Sequence, residues 1–97
     1  MRFEWDPDKA TSNLAKHDVS FAEASSVFGD RLARTILDPD HTAERGEERW
    51  LTMGLSDQGR LLVVWHAEAT AGSDSVVRII GARKATSSER RTYESGE

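Results

Sequence analysis

Arg49-Trp50-Leu51-Thr52-Met53-Gly54-Leu55, then Asp57-Gln58-Gly59, then Leu61-Leu62-Val63-Val64-Trp65 read in succession as a strand, a tight turn and a second strand. In the first run Leu51, Met53 and Leu55 recur at every second position, the period of a strand with one apolar face. Gly59 supplies the left-handed residue that a hairpin turn needs. The second run is apolar throughout, as expected of a central strand covered on both faces.

Working outward, Ala33 to Leu37 makes a further strand candidate. On the other side, Ser73-Asp74 forms a polar connection and Val76 to Ala82 reads as the last strand. Ahead of the strands, Ser20-Phe21-Ala22-Glu23 has the pattern of a capping box, with Val19 and Ala24 at the hydrophobic-staple positions. Phe21, Ala24, Val27 and Phe28 continue it as the stripe of a short helix, which Gly29 ends. An earlier helix starts at Asp6 with Pro7 in its first position, carries Ala10 and Leu14 on one face, and turns off at Asp18. Arg2 to Trp5 alternates as a short strand before it, and Thr86-Ser87-Ser88-Glu89 opens a final helix bearing Arg90, Arg91 and Tyr93. The predicted order is β-α-α-β-β-β-β-α. It describes one α+β domain over residues 1–97, a mostly antiparallel sheet with helices packed on one side of it.

The composition narrows the function. With 97 residues there is room for a single core, and the absence of cysteine excludes disulfides and thiolate metal sites. The N-terminal residues hold no apolar run of signal-peptide length, and Leu61–Trp65 is too short to span a bilayer, so a cytoplasmic protein without membrane attachment is expected. The net charge of −4 argues against a nucleic-acid partner until its distribution is considered. Between Val76 and Tyr93, five bases (Arg78, Arg83, Lys84, Arg90, Arg91) stand against the single acid Glu89. The acids gather at Asp38, Asp40, Glu44, Glu47 and Glu48, and again at Glu94 and Glu97. A basic end on an acidic body suits an anion-binding protein, and it equally suits one solvated helix.

His17, His41 and His66 lack the close spacing of a zinc site, and neither a phosphate loop nor a nucleophile elbow is present, so neither metal nor cofactor is expected. The last third holds the concentrated chemistry. Arg78 and Ile80 share a face of the last strand, Arg83 and Lys84 stand at its end, and the N–H groups of the final helix open beside them. If the neighbouring strands pair as a hairpin, His66 and Glu68 come close to Arg78. RNA cleavage by internal attack needs proton transfer, which His66 or Glu68 could supply, and positive charge on the phosphorane, which Arg78, Arg83 and Lys84 could supply. Each residue also has a structural reading. His66 fits a hydrogen-bonded core histidine, Arg90 and Arg91 a solvated helix face, Trp5, Trp50 and Trp65 the core, and Tyr93 a packing contact.

Phe3-Glu4-Trp5-Asp6, Lys9, Asn13, Lys16-His17, Val19-Ser20-Phe21, Glu23-Ala24 and Val27-Phe28 closely resemble the opening of the BrnT toxin family. Glu47-Glu48-Arg49, Gly54-Leu55 and Leu61-Leu62-Val63-Val64 resemble its middle. Arg78-Ile79-Ile80, Ala82-Arg83-Lys84-Ala85, Glu89-Arg90 and Tyr93-Glu94 resemble its close. Three places depart from the family: Asp18 stands where glycine is usual, Gly81 where serine is usual, and the loop Ala69–Ser73 is longer.

The resemblance implies a bacterial type II toxin with a RelE-like fold, an endoribonuclease that cuts RNA without a metal and blocks translation. It implies a hetero-oligomer with a BrnA-like antitoxin, which covers the basic face and through which alone the complex would reach operator DNA and repress its own operon. It implies catalytic roles for Arg78 and Arg83, then His66, Glu68 and Lys84, then Glu89 and Tyr93, with RNA contacts at Lys9, Lys16, His17, Arg90 and Arg91. The alternative is a catalytically inactive module of the same fold that only holds a DNA-binding partner.

Overall fold

The computed structural model describes residues 1–42 and 48–96, without the side chains at 39–42 and 69–71, so Glu44, Glu47 and Glu97 of the acidic groups lie outside the described residues, as do the Asp40 and His41 side chains. The elements follow in the order β1 (Arg2–Glu4), α1 (Pro7–His17), α2 (Phe21–Ser26), β2 (Arg34–Thr42), β3 (Glu48–Leu55), β4 (Leu61–Ala71), β5 (Asp74–Lys84) and α3 (Ser87–Ser95), with a 3-10 turn at Val27–Gly29. They form a five-stranded sheet in the order β1-β5-β4-β3-β2. Only β1 runs parallel to its neighbour, β5. This is the α+β class expected.

The β3–β4 hairpin turns through Gly59 at φ 76°, in the left-handed region. The β4–β5 hairpin is longer than the apolar pattern suggested. Pairing continues out to Ala71 and Asp74, where Gly72 (φ 67°) turns the chain, so Asp74 belongs to a strand and not to a connection. Backbone pairing needs no apolar side chains, which is why the pattern understated these two strands.

Asp6 Oδ1 accepts from the Asp8 N–H at 2.8 Å to cap α1, and the helix ends at Asp18 with φ 58°. Ala10 packs on the core, whereas Leu14 is half exposed and Asn13 is the residue that α1 buries. The Asn13 amide donates to the carbonyls of Val19 (3.0 Å) and Ala82 (2.9 Å) and accepts from the Ala82 N–H (3.1 Å). β1 covers β5 only from Val76 to Arg78, so among the described residues the outer edge of β5 at Ala82 has no strand partner, and Asn13 satisfies it instead.

α2 is capped as expected on one side only. Ser20 Oγ accepts from the Glu23 N–H at 3.0 Å, but the Glu23 carboxylate is used elsewhere. It accepts from Ser56 Oγ (2.7 Å) and from the Arg60 guanidinium, whose Nε donates at 2.9 Å. This buried ion pair fastens α2 to the β3–β4 hairpin and holds the Glu23 carboxyl below its usual range, chiefly through the Arg60 hydrogen bond.

The core lies between the sheet and the first two helices. Val19, Phe21, Ala24 and Val27 meet Leu62, Val64, Val77, Ile79 and Ala82 there. The expectation that all the helices share one side is corrected by α3, which shares a cleft with Leu51, Met53 and Val63. Those residues alternate with Thr52, Leu62 and Val64, so α3 lies on the opposite face. α3 buries no residue of its own. Too polar to add a second core, it is held by its ends. Its N-terminus carries the full capping box of Thr86 and Glu89, and Tyr93 near its C-terminus donates to Asp30 Oδ2 at 2.5 Å.

Candidate functional site

The partition of side chains between the two sheet faces decides which of the predicted residues meet. β4 sends Leu62, Val64, His66 and Glu68 to the face covered by α1 and α2, and Leu61, Val63, Trp65 and Ala67 to the other. Opposite them β5 carries one extra residue. Trp65 pairs with Gly81 and His66 with Ile79, leaving Ile80 as a bulge. Gly81 leaves room for the Trp65 indole lying over it, since a Cβ there would stand 2.6 Å from the ring.

Arg78 pairs with Ala67 and Arg83 with Val63, so both guanidinium groups leave the sheet on the open face. His66 and Glu68 leave it on the helix-covered face, and the expected meeting of this pair with Arg78 does not occur. The alternation of a regular β4 strand separates them.

His66 is fully buried. Its Nε2 lies 2.7 Å from Thr52 Oγ1, which lies 2.7 Å from Thr35 Oγ1, and its ring meets Phe28 edge-on at 4.9 Å. Among the described residues Nδ1 has no hydrogen-bond partner, and the nearest Glu68 oxygen is 4.0 Å away. Burial pushes the imidazole pKa down to about 4. It is a neutral core histidine, closed off from a phosphate on the open face.

Arg83 faces the open side but is occupied. Its Nη1 and Nη2 donate to the two carboxylate oxygens of Glu89 at 2.8 and 2.9 Å, a bidentate pair that anchors the start of α3. The Arg83 hydrogen bonds hold the Glu89 carboxyl down at about 2, so it stays ionised and has no proton to donate near neutrality. Lys84 pairs with Leu62 on the helix side, and its Nζ is 3.8 Å from Asp18. Arg90 stands 3.9 Å from Glu94 on α3, and Arg91 is exposed. Tyr93 is engaged by Asp30, which raises its phenol pKa. Lys9, Lys16 and His17 belong to α1, across the sheet from Arg78.

The open face holds one residue that the sequence reading quoted without assigning a role. Trp50 pairs with His66, which places Arg49 one step further along β3, beside Ala67. Arg49 and Arg78 thus flank Ala67 from the two strands bordering β4, with backbones roughly 10 Å apart. Arg49 Nε donates to the buried Asp38 carboxylate at 3.2 Å, which fixes its direction. The signal was available. Arg49 leads the alternating run Arg49-Leu51-Met53, whose face is set by the apolar members.

Toward the α3 end of the same face lies a cleft of about 350 Å³. Ile36, Leu51, Met53 and Val63 floor it, α3 roofs it with Ser88 and Thr92, and Arg34 stands at its rim.

A family model described as the ribonuclease toxin BrnT of type II toxin-antitoxin systems matches residues 5–89. The chain belongs to the BrnT family. The fold agrees with the crystal structure of the Brucella abortus ribonuclease toxin BrnT at a TM-score of 0.59 and 22% identity, over 89% of this chain and 97% of that one. At that identity the likeness speaks for the fold. No curated protein matches this BrnT-family chain in sequence. Among the described residues no helix is long and apolar enough to cross a membrane.

Proposed function

We propose that this chain cuts RNA at a phosphate bound on the open sheet face between Arg78 and Arg49, and that it acts as the toxin of a toxin-antitoxin pair. The single observation that carries the reading is the family match over residues 5–89. Arg78 and Arg49, both half-buried on the open sheet face, support that location. In the proposed reaction the 2′-hydroxyl attacks the adjacent phosphorus. The O2′–P bond forms while the P–O5′ bond breaks, the 2′-hydroxyl loses its proton, and the 5′ oxygen takes one up. Guanidinium groups stay protonated throughout, so Arg78 and Arg49 act by holding the phosphate and opposing the charge that builds on the phosphorane.

Within this proposal Arg83 and Glu89 are positioning residues that set α3 against the site, and His66 supports the strand beneath it. Glu68 leaves β4 on the helix-covered face, so it takes no part at this phosphate, and the two protons are exchanged with solvent. The cellular consequence follows from the chemistry: RNA loss blocks translation, and a BrnA-like antitoxin neutralises the toxin and links the complex to repression of its operon.

The test is direct. The purified chain, incubated with single-stranded RNA, is expected to yield fragments ending in 2′,3′-cyclic phosphate. Arg78→Ala should lower the rate by roughly 10²–10³-fold, the usual loss for one preorganised charge contact, in a chain that still folds. Intact RNA after prolonged incubation, both free and on translating ribosomes, together with normal growth of expressing cells, would refute the reading.

A further inference from the structure

The cleft beneath α3 combines features that the RNA site does not use. Its floor is apolar, yet it lies open at the sheet edge. Ile36 remains 59% exposed, and Leu32, just before the same strand, 69% exposed. β2 is the last strand of the sheet, so among the described residues no strand covers its outer backbone edge. α3 covers the cleft without burying any of its own side chains, tied down by the Arg83–Glu89 and Tyr93–Asp30 contacts.

The charge around the cleft is unbalanced in one direction. Glu89 is satisfied by Arg83 and the Thr86 N–H, and Asp30 by Tyr93 and the N–H groups of Leu55 and Leu32. Arg34, by contrast, has no carboxylate partner among the described residues. The site therefore has room for apolar side chains and calls for one negative charge at its rim. A nucleobase fits this poorly. Its edges need several polar partners, and the floor offers none.

We propose that this cleft is the docking groove for a segment of the antitoxin, one that inserts apolar side chains between α3 and the β2–β3 surface and sets a carboxylate on Arg34. The inference rests on the reading of the chain as one half of a toxin-antitoxin pair. The groove and the arginine row share a sheet face. Val63 in the groove and Ala67 beside Arg78 are four residues apart on β4, about 13 Å. A segment seated in the groove extends over the phosphate site with little additional length, so neutralisation is by direct cover.

The experiment uses the full chain and, as probe, the purified product of the reading frame adjoining its gene. Titration calorimetry compares the unaltered chain with Arg34→Glu and Ile36→Glu, both surface changes that melting curves should show to be folded. Lys9→Glu on α1 is the charge-matched control. Arg34→Glu is expected to weaken binding about 30-fold or more and Ile36→Glu about tenfold or more, with Lys9→Glu within twofold. If the probe binds the unaltered chain and both groove variants equally, the groove is not the docking site while the toxin-antitoxin reading stands. If it binds the unaltered chain not at all, the pairing itself fails and takes this inference with it. Loss of RNA cleavage in the groove variants with undiminished probe affinity would assign the cleft to RNA and overturn the proposal.

Discussion

Acidification should unfold this protein through His66 before its carboxylates are touched. The imidazole is fully buried, and desolvation lowers its pKa from 6.5 to about 4. The half-exposed Glu68 carboxylate at 4.0 Å is too well solvated to offset that. The unfolded chain therefore binds a proton near pH 6.5 that the folded chain refuses until about 4. The resulting stability is fully present above pH 6.5 and is lost as pH falls toward 4. Between pH 7 and pH 5 the loss amounts to about 2 kcal/mol, and the full difference to about 3 kcal/mol. For a domain of this size 2 kcal/mol lowers the melting temperature by roughly 10 °C. Glu89, held at about 2, adds its own loss only below its ordinary value of 4.5, so the two windows are separable. The assay is urea unfolding at pH 7 and pH 5 on the unaltered chain and on His66→Gln, which keeps a polar group for Thr52 but does not titrate. The unaltered chain should lose about 2 kcal/mol and the variant a few tenths. Equal losses in both would refute the assignment of His66 as the acid-sensitive group.

Three further outcomes are expected. Asn13→Ala strands the Ala82 N–H and carbonyl on β5 together with the Val19 carbonyl ahead of α2 and should cost about 2–3 kcal/mol in denaturant unfolding, far more than its place on a surface helix suggests. Gly81→Ala drives a methyl group into the Trp65 indole and should cost about 1–3 kcal/mol while shifting tryptophan fluorescence; an unchanged melt and spectrum would contradict the packing described. RNA affinity of a non-cleaving Arg78→Lys variant should fall with salt at a log–log slope of about −1 to −2, the value for two phosphate contacts on a single strand, and a slope beyond −4 would show that the basic segment acts as a whole.

The order of elements was legible because it rests on local chemistry. Asp6-Pro7, Ser20, Thr86 and Gly59 act within a few residues of themselves, and each does what its position indicated. What eluded the sequence was long-range partnership. Glu23 looked like the second half of a capping box, yet its carboxylate is taken by Arg60, 37 residues away. Asn13 looked like a polar helix residue, yet its partner is Ala82, 69 residues away. The placement of α3 was beyond periodicity altogether, since a helix held by two polar contacts carries no apolar stripe to announce its face. The candidate site was half legible. Arg78 could be placed on a strand, but only the β3–β4 register brings Arg49 to the same row.

The same register changes what the basic segment means. Counted along the chain, Val76–Tyr93 carries five bases against one acid, which suggests a broad positive surface. Among the described residues at least three of those bases already face carboxylates: Arg83 meets Glu89, Lys84 meets Asp18 and Arg90 meets Glu94. Asp18 comes from the end of α1 and Glu94 from beyond the counted stretch, so the excess is largely spent on holding the molecule together. Surface ion pairs of this kind are each worth little, but together they leave few cations to steer a polyanion. A net charge of −4 then works against non-specific RNA binding, and productive contact must come from the few arginines aimed off one sheet face. Such a site is easy to block. One segment in the groove between α3 and β2 reaches the Arg78–Arg49 row without having to neutralise a charged surface, so a toxin with a weak electrostatic field suits control by a partner that recognises shape and a single cation.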